Sequence, residues 1–133
     1  MIQLEEIRKF FANDHYATDA TGLTIEEAEY GHSKVRLTLD ERHKNGYGQI
    51  MGGVYYTMAD FAFAVAANCD PDRPKTLTLS SSAEFMGAAK GTTLFAEASL
   101  EKDGSKICFY QVRVFDEQGH VTTAVHMTGY KLS

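Results

Sequence analysis

Several things are scarce in this chain of 133 residues, and each scarcity removes a class of explanation. Basic charge is scarce: 13 Lys and Arg stand against 18 Asp and Glu, for a formal net charge of -5. A broad basic footprint for nucleic acid is therefore missing. An anionic ligand must be met by a local basic cluster or by free backbone amides. Cysteine is scarce too. Cys69 and Cys108 lie in apolar surroundings, outside any CxxC or Cys/His spacing, and read as reduced core residues. No His, Asp or Cys set has ligand spacing, so neither a metal nor another cofactor is expected. The N-terminus lacks the basic stretch and long apolar run of a secretion signal. The longest apolar stretch is broken by Asp60 and by glycines, so it does not read as a membrane span. The expectation is a cytoplasmic protein with neither nucleic acid nor membrane as partner.

What is present is an ordinary globular composition, 44% apolar, in a length that suits one domain over residues 1–133. Residues 2–13 carry Leu4, Ile7, Phe10 and Phe11 at helical spacing. The polar stretch 16–22 reads as a connector. In 23–30 the apolar phase slips between Ile25 and Ala28, as a bulged strand would require. In 33–40, Val35, Leu37 and Leu39 alternate with Lys34, Arg36 and Thr38, a half-buried strand. A polar loop, 41–50, contains His43, which reads as exposed. Residues 51–68 are Gly, Ala, Val, Met, Tyr and Phe on nearly every face, which predicts a buried helix. Asp70-Pro71-Asp72-Arg73-Pro74 ends it. Strands follow at 76–85, 92–100, 106–115 and 121–132, with hairpin signals at Asp103-Gly104 and Glu117-Gln118-Gly119. The fold class is α+β: a curved antiparallel sheet of five to six strands wrapped around one long helix, with an extra N-terminal helix.

Three features carry chemistry. Gly52 and Gly53 open the long helix, where first-turn amides have no intrahelical partner. A helix N-terminus also favours negative charge, so these amides suit an oxyanion. Asp60 sits between Met58, Ala59, Phe61 and Phe63, with no Lys or Arg within a helical turn, and such a carboxylate is a candidate acid or base. Asn45 precedes the glycines and suits either turn chemistry or the orientation of a carbonyl or water. Gly52 and Asp60 are separated by eight residues, or ~12 Å along one helix. One reacting carbon cannot touch both. If both act on one substrate, amide and carboxylate come from different subunits, and two such sites form across a two-fold axis. A homodimer or homotetramer with shared active sites follows.

The spacing Asn45, Gly48, Gly52-Gly53, Asp60 resembles the hotdog-fold thioesterase superfamily, in particular its phenylacetyl-CoA and acyl-CoA thioesterase branch. That resemblance implies an acyl-CoA substrate and several roles. Asp60 would be general base or nucleophile, a choice the sequence leaves open. The Gly52 amide would polarise the thioester carbonyl, Asn45 would hold the water or carbonyl, and Thr78 would help place the water. Gly53, Met51, Phe61, Phe85 and Lys90 would meet the substrate, Lys90 at the CoA phosphates. An acyl tunnel would run along the helix past Phe61, Phe63, Phe85 and Met86. The chain departs from the family pattern at Met51, where a His is usual. That departure leaves a non-catalytic acyl-CoA-binding protein as an alternative and makes a hydratase or dehydratase the weaker one.

Overall fold

The structure is a computed structural model that describes residues 2–132; the end residues of the expected 1–133 domain lie outside them. The chain begins with helix α1, Leu4–Phe11. Glu5 and Glu6 in its first turn and Arg8 and Lys9 in its last complement the helix dipole. Ile7 and Phe11, one helical turn apart, are its buried face. A π-helical turn, Tyr16–Thr21, follows and ends at Gly22, whose φ of 96° is open to glycine. The stretch 16–22 is thus not a plain connector. Ala17 and Thr21 are buried, and the extra residue of the π turn seats them.

Strands β1 (Thr24–Glu29) and β2 (His32–Thr38) come next, then a short 3-10 turn, Glu41–His43, and helix α2, Gly52–Asn68. Four strands complete the chain: β3 (Thr76–Phe85), β4 (Thr93–Asp103), β5 (Ile107–Asp116) and β6 (Val121–Lys131). They form one six-stranded antiparallel sheet in the order β1-β2-β4-β5-β6-β3. The expected slip in β1 is a register shift between Ile25 and Glu27. The sheet lies along α2, which contacts every strand.

The approach is close because the facing residues are small. Ala59, Ala62 and Ala66 are fully buried, and Ser33 Oγ donates to the Ala62 carbonyl at 2.6 Å. A Cβ on Gly129 in β6 would stand 2.7 Å from Cys108 Sγ and 2.9 Å from the Phe63 ring. Cys69 and Cys108 are free and buried, and burial pushes both thiols up from their ordinary value. The far end of α2 is clamped to β3: the Thr76 amide donates to Asn68 Oδ1 at 2.7 Å, and Asn68 Nδ2 donates to the Thr76 carbonyl at 2.9 Å.

His43 is buried, contrary to the exposed loop histidine expected. The Asp40 amide donates to its Nδ1 at 3.0 Å, so Nε2 carries the proton and donates to the Thr21 carbonyl at 2.7 Å. The imidazole is therefore a brace between the π turn and the loop before α2.

Candidate active site

Helix α2 is not buried all round. The sheet takes one side and α1 part of another, which leaves a stripe along Tyr56, Asp60, Ala64 and Asn68 at helical spacing. Asp60 is exposed on that stripe, while its neighbours Ala59 and Phe61 turn into the core. The expectation of an acid surrounded by apolar groups thus fails for the folded chain, because sequence neighbours on a helix point in different directions. Strand β3 supplies the partners. Thr78 Oγ1 donates to Asp60 Oδ1 at 3.2 Å, and one turn earlier Tyr56 and Ser81 share a hydroxyl contact at 2.6 Å. Between Thr78 and Ser80 the register of β3 shifts. That bulge at Leu79 lets Thr78 before it and Ser81 after it both face α2.

Two clefts meet at Asp60. One, of about 670 Å³, runs between α1, α2 and the start of β3, with apolar walls from Phe10, Phe11, Phe63 and Leu77. The other, of about 440 Å³, lies toward Tyr16, Tyr56 and Phe61. Phe61 and Phe63 thus line different clefts, while Phe85 and Met86 line neither. Phe85 and Met86 are exposed where β3 ends.

The N-terminal end of α2 holds the other residues. Met51 is the N-cap in an extended conformation, with no side-chain cap bond, and is exposed. Gly52 and Gly53 are exposed, and a Cβ on Gly52 would touch the Phe85 ring at 3.6 Å. Asn45 does turn chemistry: its Oδ1 accepts from the amides of Tyr47 and Gln49 at 2.9 and 3.1 Å. Lys90 is exposed on a loop held near this end, since the Ala89 amide donates to Tyr55 Oη at 3.1 Å. Asp116 anchors the same loop. Its buried carboxylate accepts from the amides of Lys90, Gly91, Gln118 and His120. Burial pushes this carboxyl up, but the amides of Lys90, His120 and Gln118 and the His120 ring outweigh that and hold it far below its usual range.

The fold therefore gathers Asp60 and Thr78 at one place and Gly52, Phe85 and the Lys90 loop at another. Sequence reasoning missed two contributors, Asp116 and Asp14. Asp116 sits in a hairpin whose turn is legible, but its reach to residues 90 and 91 is not. Asp14 lines both clefts beside Asp60. No local signal in the sequence marks its approach to α2.

The thioesterase superfamily model matches residues 47–123, more than half of the chain, and its span includes Gly52, Asp60 and Thr78. The chain belongs to the thioesterase superfamily. Among relatives of this superfamily protein, a Deinococcus radiodurans protein provisionally named an esterase is 34% identical over 104 residues, 77% of this chain and 70% of that one. The acyl-coenzyme A thioesterase PaaI of Escherichia coli is 27% identical over 109 residues, 81% of this chain and 76% of that one. The solved structure of E. coli PaaI, from the phenylacetic acid degradation operon, superposes with a TM-score of 0.82 at 20% identity, over 98% of this chain and 97% of that one. The Streptococcus mutans protein smu.793, solved with acetyl CoA, superposes at 0.76 and 20% identity, over 84% and 89%. The hotdog fold of this thioesterase-superfamily chain is thereby shown, as is the family expected from the loop and helix motif.

Proposed function

We propose that this protein hydrolyses an acyl-CoA thioester to the free acid and CoA, with Asp60 as the reacting carboxylate. The observation that carries this reading is the Asp60–Thr78 contact, 3.2 Å, set where two clefts meet on the open stripe of α2. A carboxylate held by a hydroxyl beside an apolar cleft suits either attack on the thioester carbon or removal of a proton from water. In the second route the water oxygen bonds to the acyl carbon, the C–S bond breaks, and the water's proton passes through Asp60 to the departing thiolate. The Gly52 amide suits the oxyanion, because a first-turn amide has no intrahelical acceptor.

Gly52 lies eight residues from Asp60 on the same helix, so each site takes the amide from one subunit and the carboxylate from another. Strand β3 supports that assembly: it is a ten-residue sheet edge with Leu77, Leu79 and Phe85 exposed. Two copies paired along β3 give a two-fold dimer, and the acyl group lies in the α1–α2 cleft of about 670 Å³. Lys90 meets the CoA phosphates, and Asn45 shapes the loop that presents Gly52. Gly53 and Met51 border the thioester.

The test is thiol release from a panel of acyl-CoAs by the native protein and Asp60→Asn. The native protein is expected to release thiol from at least one member, and Asp60→Asn to lower kcat by about 100-fold or more with its fold intact. Near-native turnover by the variant would remove Asp60 from the chemistry. Intact acyl-CoA recovered with the native protein after long incubation would favour a binding protein instead.

A further inference from the structure

We propose that Tyr55, Asp116 and Glu117 are positioning residues that hold loop 86–92 as a preformed seat for the nucleotide end of CoA, with the Lys90 ammonium meeting a phosphate there. This assignment rests on the acyl-CoA reading of the substrate. Two observations carry it. First, five consecutive amides, from the loop into the start of β4, donate to side chains. The Ala89 amide donates to Tyr55 Oη at 3.1 Å, those of Lys90 and Gly91 to Asp116 Oδ2 at 2.9 and 3.2 Å, and those of Thr92 and Thr93 to Glu117 at 3.0 and 3.3 Å. The Thr92 hydroxyl adds a bond to Glu117 at 3.2 Å. Second, the Lys90 side chain is exposed, and its ammonium takes no partner among the described residues.

A surface loop of Gly and Ala is ordinarily a mobile element. Here three side chains fix it. Tyr55 is buried in the first turn of α2, three residues after Gly52, so it ties the loop to the helix end whose amide suits the oxyanion. Asp116 is buried where β5 ends, and a buried acid is costly unless donors such as these amides meet it. The same bonds decide which group receives an anion. Every amide from 89 to 93 already has an acceptor, so none is left for a phosphate. The two acids beside Lys90 spend their oxygens on amides, which leaves the ammonium for an outside anion. A charge carried on a fixed loop gives up little freedom on binding, and that raises affinity. The loop thus reads the carrier of the acyl group, while the α1–α2 cleft takes the acyl group itself.

The experiment is calorimetric titration with CoA and with pantetheine, which lacks the nucleotide and its phosphates, on the native protein, Tyr55→Phe and Lys90→Ala. The native protein is expected to bind CoA more tightly than pantetheine, about tenfold or more, with the gap narrowing as salt is added. Lys90→Ala is expected to remove most of that gap. Tyr55→Phe frees the Ala89 amide and is expected to weaken CoA about threefold, and pantetheine less. A brace with no part in binding predicts otherwise: Tyr55→Phe lowers stability and changes both ligands alike or neither. That pattern overturns the proposal, as does a native protein that binds the two ligands equally or binds neither. Lys90 is exposed, so Lys90→Ala keeps the test decisive where Tyr55→Phe fails to fold. Thiol release separates this seat from the hydrolase reading. If CoA binds with the expected Lys90 dependence but no acyl-CoA is hydrolysed, the seat stands and the hydrolase reading falls. If acyl-CoA is hydrolysed and Lys90→Ala leaves CoA affinity unchanged, the seat falls and the hydrolase reading stands.

Discussion

The two edges of the sheet are built in opposite ways. Strand β1 is short, bulged at Glu26, and carries Glu26, Glu27 and Glu29. Arg8 on α1 closes it further by donating two guanidinium bonds to the Ile25 carbonyl, at 2.9 and 2.8 Å. Charge, a bulge and a covering helix are the usual ways to keep an edge unpaired. Strand β3 has ten residues, places Glu84 as its one charge, and leaves Leu77, Leu79 and Phe85 exposed. It also carries Thr78 against Asp60. One edge is protected against pairing and the other is left able to pair, and the candidate chemistry lies beside the second. An open sheet edge is a liability unless something pairs with it.

The largest effect should come from spoiling the open edge. Leu79→Lys places like charges on two facing edges, and we expect sedimentation to show a shift from dimer to monomer, with thiol release falling in parallel. A lysine at Ala28 on β1 should leave both unchanged. If both variants stay dimeric and active, β3 is not the assembly edge.

Next is the loop into which β3 runs. Asp116→Ala leaves the amides of Lys90, Gly91, Gln118 and His120 without their acceptor, an expected loss of about 2–4 kcal/mol in chemical denaturation. The folded-state value of this carboxyl is depressed. Its stabilisation is therefore full above the unfolded value of about 4 and fades as pH falls through the lower folded value. Native stability should fall with acid in that window, and the variant should respond less.

Arg8→Ala tests the closed edge, with an expected loss of about 1–2 kcal/mol as the Ile25 carbonyl gives up two charged donors. The smallest effect belongs to the middle of the sheet. Tyr110 is buried on β5 with its hydroxyl unpartnered among the described residues, and burial pushes that hydroxyl well above its ordinary value. Tyr110→Phe should change stability by less than about 1 kcal/mol, and toward greater stability, because the lost hydroxyl has no bond to lose.

These edges also mark how far the sequence could be read. The strands, both helices and the slip in β1 follow from local periodicity, because one buried face forces alternation or helical spacing. The loop and helix motif pointed to the superfamily for the same reason: its spacing is local. That β3 crosses to lie beside β6 is a matter of pairing partners far apart in the chain, which periodicity does not encode. His43 looked exposed because its acceptor at Thr21 and its donor at Asp40 meet only after folding. Asp60 looked buried because composition around it was averaged over a helix whose faces differ. Asp14 gave no signal, since its meeting with α2 depends on where α1 docks.

The reciprocal pair of bonds between Asn68 and Thr76 has a further consequence. It fixes the phase of β3 against α2 at the point where the chain returns, so residues 69–75 have no part in keeping Thr78 opposite Asp60. That short segment can change length or composition without moving Thr78 from Asp60. It also forms the far wall of the wider cleft, through Pro71 and Arg73. On the proposed function, changes in that segment would reshape the wider cleft and leave the Asp60–Thr78 contact in place.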